Sequence, residues 1–307
     1  MQNKTQRSFK SFTSEITTLI IAELEKGNPV WKQPWKDLGL CKNYQSQRPY
    51  TGFNQFYLSW LMQKKGFNQP YFLTYKQAND LGGHVRKGEK GITVVFWKQI
   101  QQKKQSEIDT ETTNTTRLFP FLHTVFNIGQ IEGIKFLITE KIQPQHLPIQ
   151  ACEAIVSQMP SSPNIIHGGN QAYYSPSLDF VQLPLPEQFI TPENYYQTAF
   201  HELIHSTGHK SRLNRFKAGE MPARFGDENY SKEELIAEIG ATILSASAGI
   251  HQTIISSSAG YIKGWLRALQ NDHTLIFSAA NQADKAVSFI TGNSNELIET
   301  ETANATA

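Results

Sequence analysis

Residues 201–209 read His201-Glu202-Leu203-Ile204-His205-Ser206-Thr207-Gly208-His209, and the first five form an HExxH pattern. On an α-helix, positions i and i+4 lie one turn apart on one face, so His201 and His205 can aim their imidazoles at one metal ion. Glu202 sits beside them, where a carboxylate can take a proton from water. A metal ion held there lowers the pKa of a bound water to about 7, which makes a hydroxide nucleophile available at neutral pH. The pattern needs a helix, and its flanks supply one. Thr191-Pro192-Glu193 reads as an N-cap, a proline at the first helical position and an acid in the first turn. Tyr195, Ala199, Phe200 and Leu203 give an apolar side, and Gly208 is a stop signal.

A catalytic zinc usually takes three protein ligands. The pattern HExxHxxGxxH would put a third histidine at position 211; Gly208 is in register, but that position is Ser211. His209 is near enough to be a ligand, but it follows Gly208, past which helical geometry is not expected to extend. Downstream, Ser231 to Ala241 predicts a second helix, opened by a capping box of Ser231 and Glu234. Glu234 and Glu238 share a face, and Ala237, Gly240 and Ala241 are small enough for close helix packing. The segment resembles the second zinc helix of the gluzincin metalloproteases, where a Glu is the third ligand and an acid four residues on orients a ligand histidine. That resemblance implies Glu234 as ligand and Glu238 behind a histidine. Here Glu238 stands where the thermolysin-like pattern has Asp, and Glu233 is the alternative ligand. Tyr174, Tyr230 and His209 are candidates for an electrophilic helper at the same centre.

At 307 residues the chain has room for two domains of roughly 100–200 residues each. No run of about 20 apolar residues occurs, so no membrane span is expected. Met1 to Ser11 is polar and basic and lacks the apolar core of a signal peptide. Cys41 and Cys152 are far apart and outside any CxxC pair, which predicts two free thiols in a cytoplasmic protein. The net charge of +2 conceals an asymmetry. Residues 1–150 carry 20 basic and 11 acidic side chains, a balance of +9, and residues 151–307 carry 9 and 16, a balance of −7. That split predicts a basic module that meets a polyanion, joined to a separate acidic module.

The basic half is also aromatic. Trp31, Trp35, Trp60 and Trp97 fall in its first 100 residues, among Lys32, Lys36, Lys42, Arg48, Lys64, Lys65 and Lys76. Cations that track phosphates and rings that stack bases are what a single-strand binder uses. Phe53, Phe56, Tyr57 and Trp60 have the spacing of one buried helix face from Asn54 to Lys65. Trp35, Tyr50 and Tyr75 lie near turn residues and are the stacking candidates. Arg86, Lys87 and Lys90 crowd one glycine-flanked turn that suits a phosphate or a solvated hairpin equally.

The remaining elements follow from pattern. Phe12 to Lys26 predicts an amphipathic helix, Tyr71 to Thr74 an extended segment, Lys76 to Leu81 a short helix, and Ile92 to Lys98 and Phe119 to Phe126 strands. Lys103 to Thr116 reads as a mobile hairpin connection, 140–150 as an interdomain linker, and Met221 to Tyr230 as a loop near the metal site. Short strands are predicted at Ile165-Ile166-His167, Ala172-Tyr173-Tyr174 and Phe180-Val181, and helices from 152 and over 258–270 and 278–290.

Several stretches together resemble the ArdC family of plasmid antirestriction proteins. They are Gly27 to Trp35, Tyr50 to Asn54, Thr74 to Ala78, Leu81 to Gly91, Phe126 to Gln130, Tyr173-Tyr174 with Asp179, His201 to Arg215 and Glu233 to Gly240. The resemblance implies an α+β chain of two domains. An N-terminal domain that binds single-stranded DNA, related to one in TraC-type primases, would cover 8–140. A zincin-like metallopeptidase domain would cover 150–292, with a disordered tail over 293–307. The expected site is Zn²⁺, with Mn²⁺ or Co²⁺ as alternatives, on His201, His205 and Glu234, with Glu202 as base and Glu238 behind. The expected DNA contacts are Trp35, Arg48, Tyr50, Tyr75, Lys76, Arg86, Lys87 and Lys90. The partner is single-stranded DNA, a restriction-system protein is a candidate substrate, and no membrane is involved. The competing expectation is a DNA-protecting protein whose metal site is structural or regulatory.

Overall fold

The computed structural model describes residues 8–28, 30, 39–104, 113–138, 148–216, 228–250 and 259–293. Helix α1 (Phe9–Glu25) starts where Ser8 accepts from the Ser11 N–H, and it buries Phe12, Ile16, Ile20 and Leu24. Past its end Gly27 turns the chain at φ 77°, a conformation that costs glycine little. β1 (Lys42–Asn43) leads to α2 (Gly52–Lys65), in which Phe53, Phe56, Tyr57 and Trp60 are all core, as their spacing predicts. β2 (Tyr71–Thr74) runs straight into α3 (Tyr75–Asp80), which is fixed by a capping box of Thr74 and Gln77. β3 (His84–Val85), β4 (Ile92–Lys104), β5 (Thr113–Asn127) and β6 (Ile131–Glu132) complete this half.

The sheet order is β1-β2-β5-β4, parallel between β1 and β2 and antiparallel elsewhere, while β3 pairs with β6. Asn54 clamps α2 to the sheet by exchanging two hydrogen bonds with the Val95 backbone, at 2.7 and 2.8 Å. The polar stretch 103–116, expected as a loop, is strand at both ends: β4 runs to Lys104 and β5 resumes at Thr113. Thr113, Thr115 and Thr116 are β-branched, which favours extended backbone.

The second half opens with α4 (Pro148–Ser157), so the expected linker already becomes helix at its last residues; 139–147 lie outside the described residues. β7 (Asn164–His167), β8 (Tyr173–Ser175) and β9 (Phe180–Leu183) form a sheet of order β7-β9-β8. Helices α5 (Pro192–Ser206), α6 (Glu228–Ala248), α7 (Ala259–Asn271) and α8 (Leu275–Ile290) follow. α6 starts three residues before Ser231, so Ser231 is no N-cap. It is buried inside the helix, and a Cβ at Gly264 of α7 would fall 2.8 Å from its hydroxyl. Of the expected loop 221–230, the last three residues are helical, and the rest, like most of the expected tail, lies outside the described residues. No described helix is long and apolar enough to cross a membrane. Both cysteines are buried free thiols, and burial pushes both up to about 12.

The charge split predicts separate modules, but the two halves share one hydrophobic core. Phe53 of α2 stacks on Phe277 of α8 with ring centroids 3.7 Å apart, and Phe12 meets the same ring at 5.9 Å. α8 also caps α2. Asn281 accepts from the Phe53 N–H at 3.2 Å and Asp284 from the Gly52 N–H, while Thr51 makes no side-chain cap bond.

Candidate metal centre

α5 forms as its sequence dictates: the Thr191 side chain accepts from the Asn194 N–H, Pro192 occupies the first turn, and Ala199, Phe200, Leu203 and Ile204 are buried. α6 lies hard against it, because Gly240 leaves room for Ile204; a Cβ at Gly240 would come within 2.6 Å of the Ile204 side chain. This close approach brings the acidic face of α6 to the two histidines.

His201 Nε2 and His205 Nε2 face each other at 3.1 Å. Glu234 Oε2 is 3.5 Å from the first and Glu234 Oε1 is 3.5 Å from the second. Among the described residues, these three form the group able to hold a metal ion, their ligand atoms all within 4.8 Å of one another. Two imidazole lone pairs and a carboxylate turned to one point are the donor set of a divalent cation, so the residues fit the ion that the motif implies.

The outer nitrogens face acids as well. His201 Nδ1 is 3.8 Å from Glu238 Oε1, the position expected from the sequence. His205 Nδ1 is 3.3 Å from Glu233 Oε1. Glu233, the alternative ligand on sequence grounds, therefore stands on the far side of the imidazole from Glu234. Sequence reasoning missed its companion, Arg215. That guanidinium donates to both Glu233 oxygens, to Thr207 Oγ1 and to the Ile204 carbonyl.

Glu202 is buried beside the pair, and its carboxylate accepts from the Tyr174 backbone N–H on β8. Burial raises its pKa above the ordinary range, against the pull of the two histidines. The Tyr174 hydroxyl is committed elsewhere: it donates to Asp179 at 2.8 Å and accepts from Arg212 at 3.2 Å, which disfavours it as an electrophilic helper. Arg212 is buried, pairs with Asp179, and donates to the Ser161 and Ser206 carbonyls, tying the turn after α5 to the β8–β9 hairpin. His209 sits at the edge of this network, bonded to Ser211.

Burial alone would lower both histidines, but Glu234 raises His201, and Glu233 with Glu234 holds His205 well above its ordinary value. Burial would raise Glu234, but its two histidine partners outweigh that and lower it. A proton on each imidazole must therefore leave before it can donate to a cation. Zn²⁺ affinity is expected to fall by about tenfold per pH unit for each proton displaced, below the raised histidine values. Titrations between pH 6 and 8.5 with proton release measured would check this. The stability of the metal-free chain runs the other way. Its imidazole–carboxylate pairs contribute fully between about pH 4.3, the unfolded carboxylate value, and about pH 6.5, the unfolded imidazole value; the contribution is lost as pH rises through the raised histidine values or falls through the lowered Glu233 and Glu234 values.

In the N-terminal half, Tyr75 is 56% exposed at the first position of α3, and its ring meets Phe126 at 6.5 Å. Phe126 also lies over Gly91, at the end of the basic turn carrying Lys87 and Lys90, both exposed. Asn43 bonds Gln77 of α3 at 3.0 Å, which sets the turn bearing exposed Arg48 beside Tyr75 and Lys76. Arg48, Tyr75, Lys76, Lys87 and Lys90 thus fall on neighbouring segments. One expected contact differs. Tyr50 is 5% exposed against Phe72, so its ring cannot stack a base. Arg86 is paired with Glu89 at 2.7 Å and shapes the turn. Trp35 lies outside the described residues.

The fold and site together define a zincin-like metallopeptidase domain: residues 150–282 match the family of that description, and 10–126 match the N-terminal domain of anti-restriction factor ArdC. The antirestriction ArdC protein of plasmid R388 is 36% identical in crystal structures, metal-free and Mn(II)-bound. These cover 92% of this chain and 97% and 98% of theirs, with TM-scores of 0.71 and 0.72. An uncharacterized protein, y4eC, of Sinorhizobium fredii is 32% identical over 92% of each chain. A DNA primase TraC of Escherichia coli is 33% identical over 95% of this chain, which spans only 28% of the primase. The chain belongs to the ArdC antirestriction family.

Proposed function

We propose that this chain is a single-stranded-DNA-binding antirestriction protein with a zinc-dependent peptide-hydrolysing centre, acting in the cytoplasm on a restriction-system protein. One observation carries the reading: His201, His205 and Glu234 converge with a buried acid, Glu202, at their side. A purely structural metal site has no need of that acid. The Mn(II)-bound relative supports a divalent ion at the centre.

A divalent cation bound there would polarise a carbonyl and lower the pKa of water, so that hydroxide is available as nucleophile near neutral pH. The chain's own residues do the rest. The Nε2 atoms of His201 and His205 and the Glu234 carboxylate would hold the ion. Glu202 takes the proton from the attacking water and hands it to the departing amine. The Tyr174 N–H keeps the Glu202 carboxylate turned, and the walls of α5 and α6 keep it out of bulk water.

The ArdC and TraC relatives support DNA as partner. Tyr75 stacks a base, and Arg48, Lys76, Lys87 and Lys90 track phosphates. Tyr75→Ala is expected to weaken binding to an oligothymidine by about 1–3 kcal/mol. Lys87→Ala with Lys90→Ala should reduce the salt dependence by about 0.7 in log–log slope for each phosphate that is no longer neutralised. Fluorescence anisotropy over a salt series measures both, and an unchanged slope would place the DNA elsewhere.

The whole reading is tested by transfer of unmodified plasmid DNA into a restricting host. Loss of protection in Glu202→Gln, with DNA binding intact, makes hydrolysis the function. Full protection by Glu202→Gln and loss in the Tyr75, Lys87 and Lys90 variant leaves DNA coverage as the function, with a structural or regulatory metal.

A further inference from the structure

We infer that the buried Arg215–Glu233 pair is a positioning device that fixes which nitrogen of His205 meets the metal and holds the two ligand helices at one separation. The inference rests on the metal centre proposed above. Glu233 lies next to Glu234 on α6, yet the two carboxylates take opposite edges of His205: Glu234 is 3.5 Å from Nε2 and Glu233 is 3.3 Å from Nδ1. An imidazole has one proton to place when neutral. An acceptor at Nδ1 draws that proton there and leaves the Nε2 lone pair for the ion.

A carboxylate that also orients a ligand must itself be oriented. Arg215 does this with a fork, Nη2 to Oε1 at 2.6 Å and Nε to Oε2 at 3.3 Å. The pair is almost wholly buried, 8% and 9% exposed, where a fixed guanidinium plane matches a carboxylate better than a flexible ammonium would. The same guanidinium donates to the Ile204 carbonyl at 2.9 Å and to Thr207 Oγ1 at 2.5 Å, at the C-terminal end of α5. Arg215 therefore bonds to both ligand-bearing helices. It also offsets one of the carboxylates crowded around the site, which would otherwise repel one another before an ion binds. His201 has a looser counterpart, Glu238 at 3.8 Å, so the tighter positioning falls on His205.

The test replaces the pair by apolar residues, Arg215→Met with Glu233→Leu, because exchanging both charges avoids stranding either one in the core. The full chain is titrated with Zn²⁺ against a chromophoric chelator and melted metal-free, and zinc-loaded wild type labelled with ¹⁵N-histidine is read by NMR. We expect the double variant to fold but to bind Zn²⁺ about 10–100-fold more weakly. Wild-type His205 should carry its proton on Nδ1 and zinc on Nε2. Unchanged Zn²⁺ affinity in a folded double variant overturns the inference. If that variant does not fold, the wild-type spectrum decides, and zinc on Nδ1 of His205 overturns it. Wild type that binds no Zn²⁺ sinks both the inference and the metal-centre reading, whereas zinc bound just as tightly by the double variant sinks the inference alone.

Discussion

Glu202→Gln is expected to lower peptide hydrolysis by about 10²–10⁴-fold while Zn²⁺ affinity and DNA binding stay near wild type. Glutamine keeps the shape of the side chain and can still accept from the Tyr174 N–H, but it cannot take a proton. The side chain is not one of the three groups that converge on the ion, so the site should still load. Burial raises the Glu202 carboxyl toward neutrality, which suits a base whose proton must also be given back. The same shift sets the acid limb of the pH profile: activity should fall as pH drops through the raised Glu202 value. The measurement is mass spectrometry of a peptide library, with a His201→Ala variant as a metal-free control. Equal cleavage by wild type and Glu202→Gln would remove Glu202 as the base. No cleavage by zinc-loaded wild type would favour a DNA-protecting protein with a structural or regulatory ion.

What the sequence made legible was local. HExxH requires one helix, and Thr191-Pro192-Glu193 marks its start, so His201, His205 and Glu202 could be placed from residue spacing alone. Glu234 and Glu238 were legible through the resemblance of their segment to the gluzincin second zinc helix, with small residues such as Gly240 as the sign of close packing against another helix, which the Ile204 contact now explains. Arg215 and the orienting role of Glu233 were not, since which side of an imidazole a carboxylate takes depends on how two helices cross. Ser231 misled for a related reason. A serine three residues before a glutamate carries the signature of a cap, but tertiary packing against Gly264 placed it inside α6. Tyr50 failed because a tyrosine near a proline can lie at the surface or in the core, and the Phe72 contact that decides between them comes from a distant strand.

Phe277→Ala is expected to cost about 3–5 kcal/mol and to lower the melting of both halves together. The ring is 4% exposed and lies between Phe53 of α2 and Phe12 of α1, so its removal opens a cavity where the two halves meet. If they shared only a linker, calorimetry would show two transitions and the substitution would move one. A shared core predicts a single transition whose van't Hoff and calorimetric enthalpies agree. The capping contacts add a test of opposite sign. Burial raises the Asp284 carboxyl, despite the bond from the Gly52 N–H, so its charged form is disfavoured in the fold. Asp284→Asn keeps an acceptor for that N–H and removes the charge, and it should therefore stabilise the protein at neutral pH. In wild type the same cost is relieved as pH falls through the raised Asp284 value, so the advantage of the variant should shrink with acid. A gain confined to one of two transitions would overturn the shared core. A single transition that moves with both Phe277 and Asp284 would mean that α1 and α2 owe their stability to the C-terminal half. An N-terminal fragment would then expose Phe12 and Phe53 and lose the caps of α2, so the two proposed activities must be separated by point substitution in the whole chain.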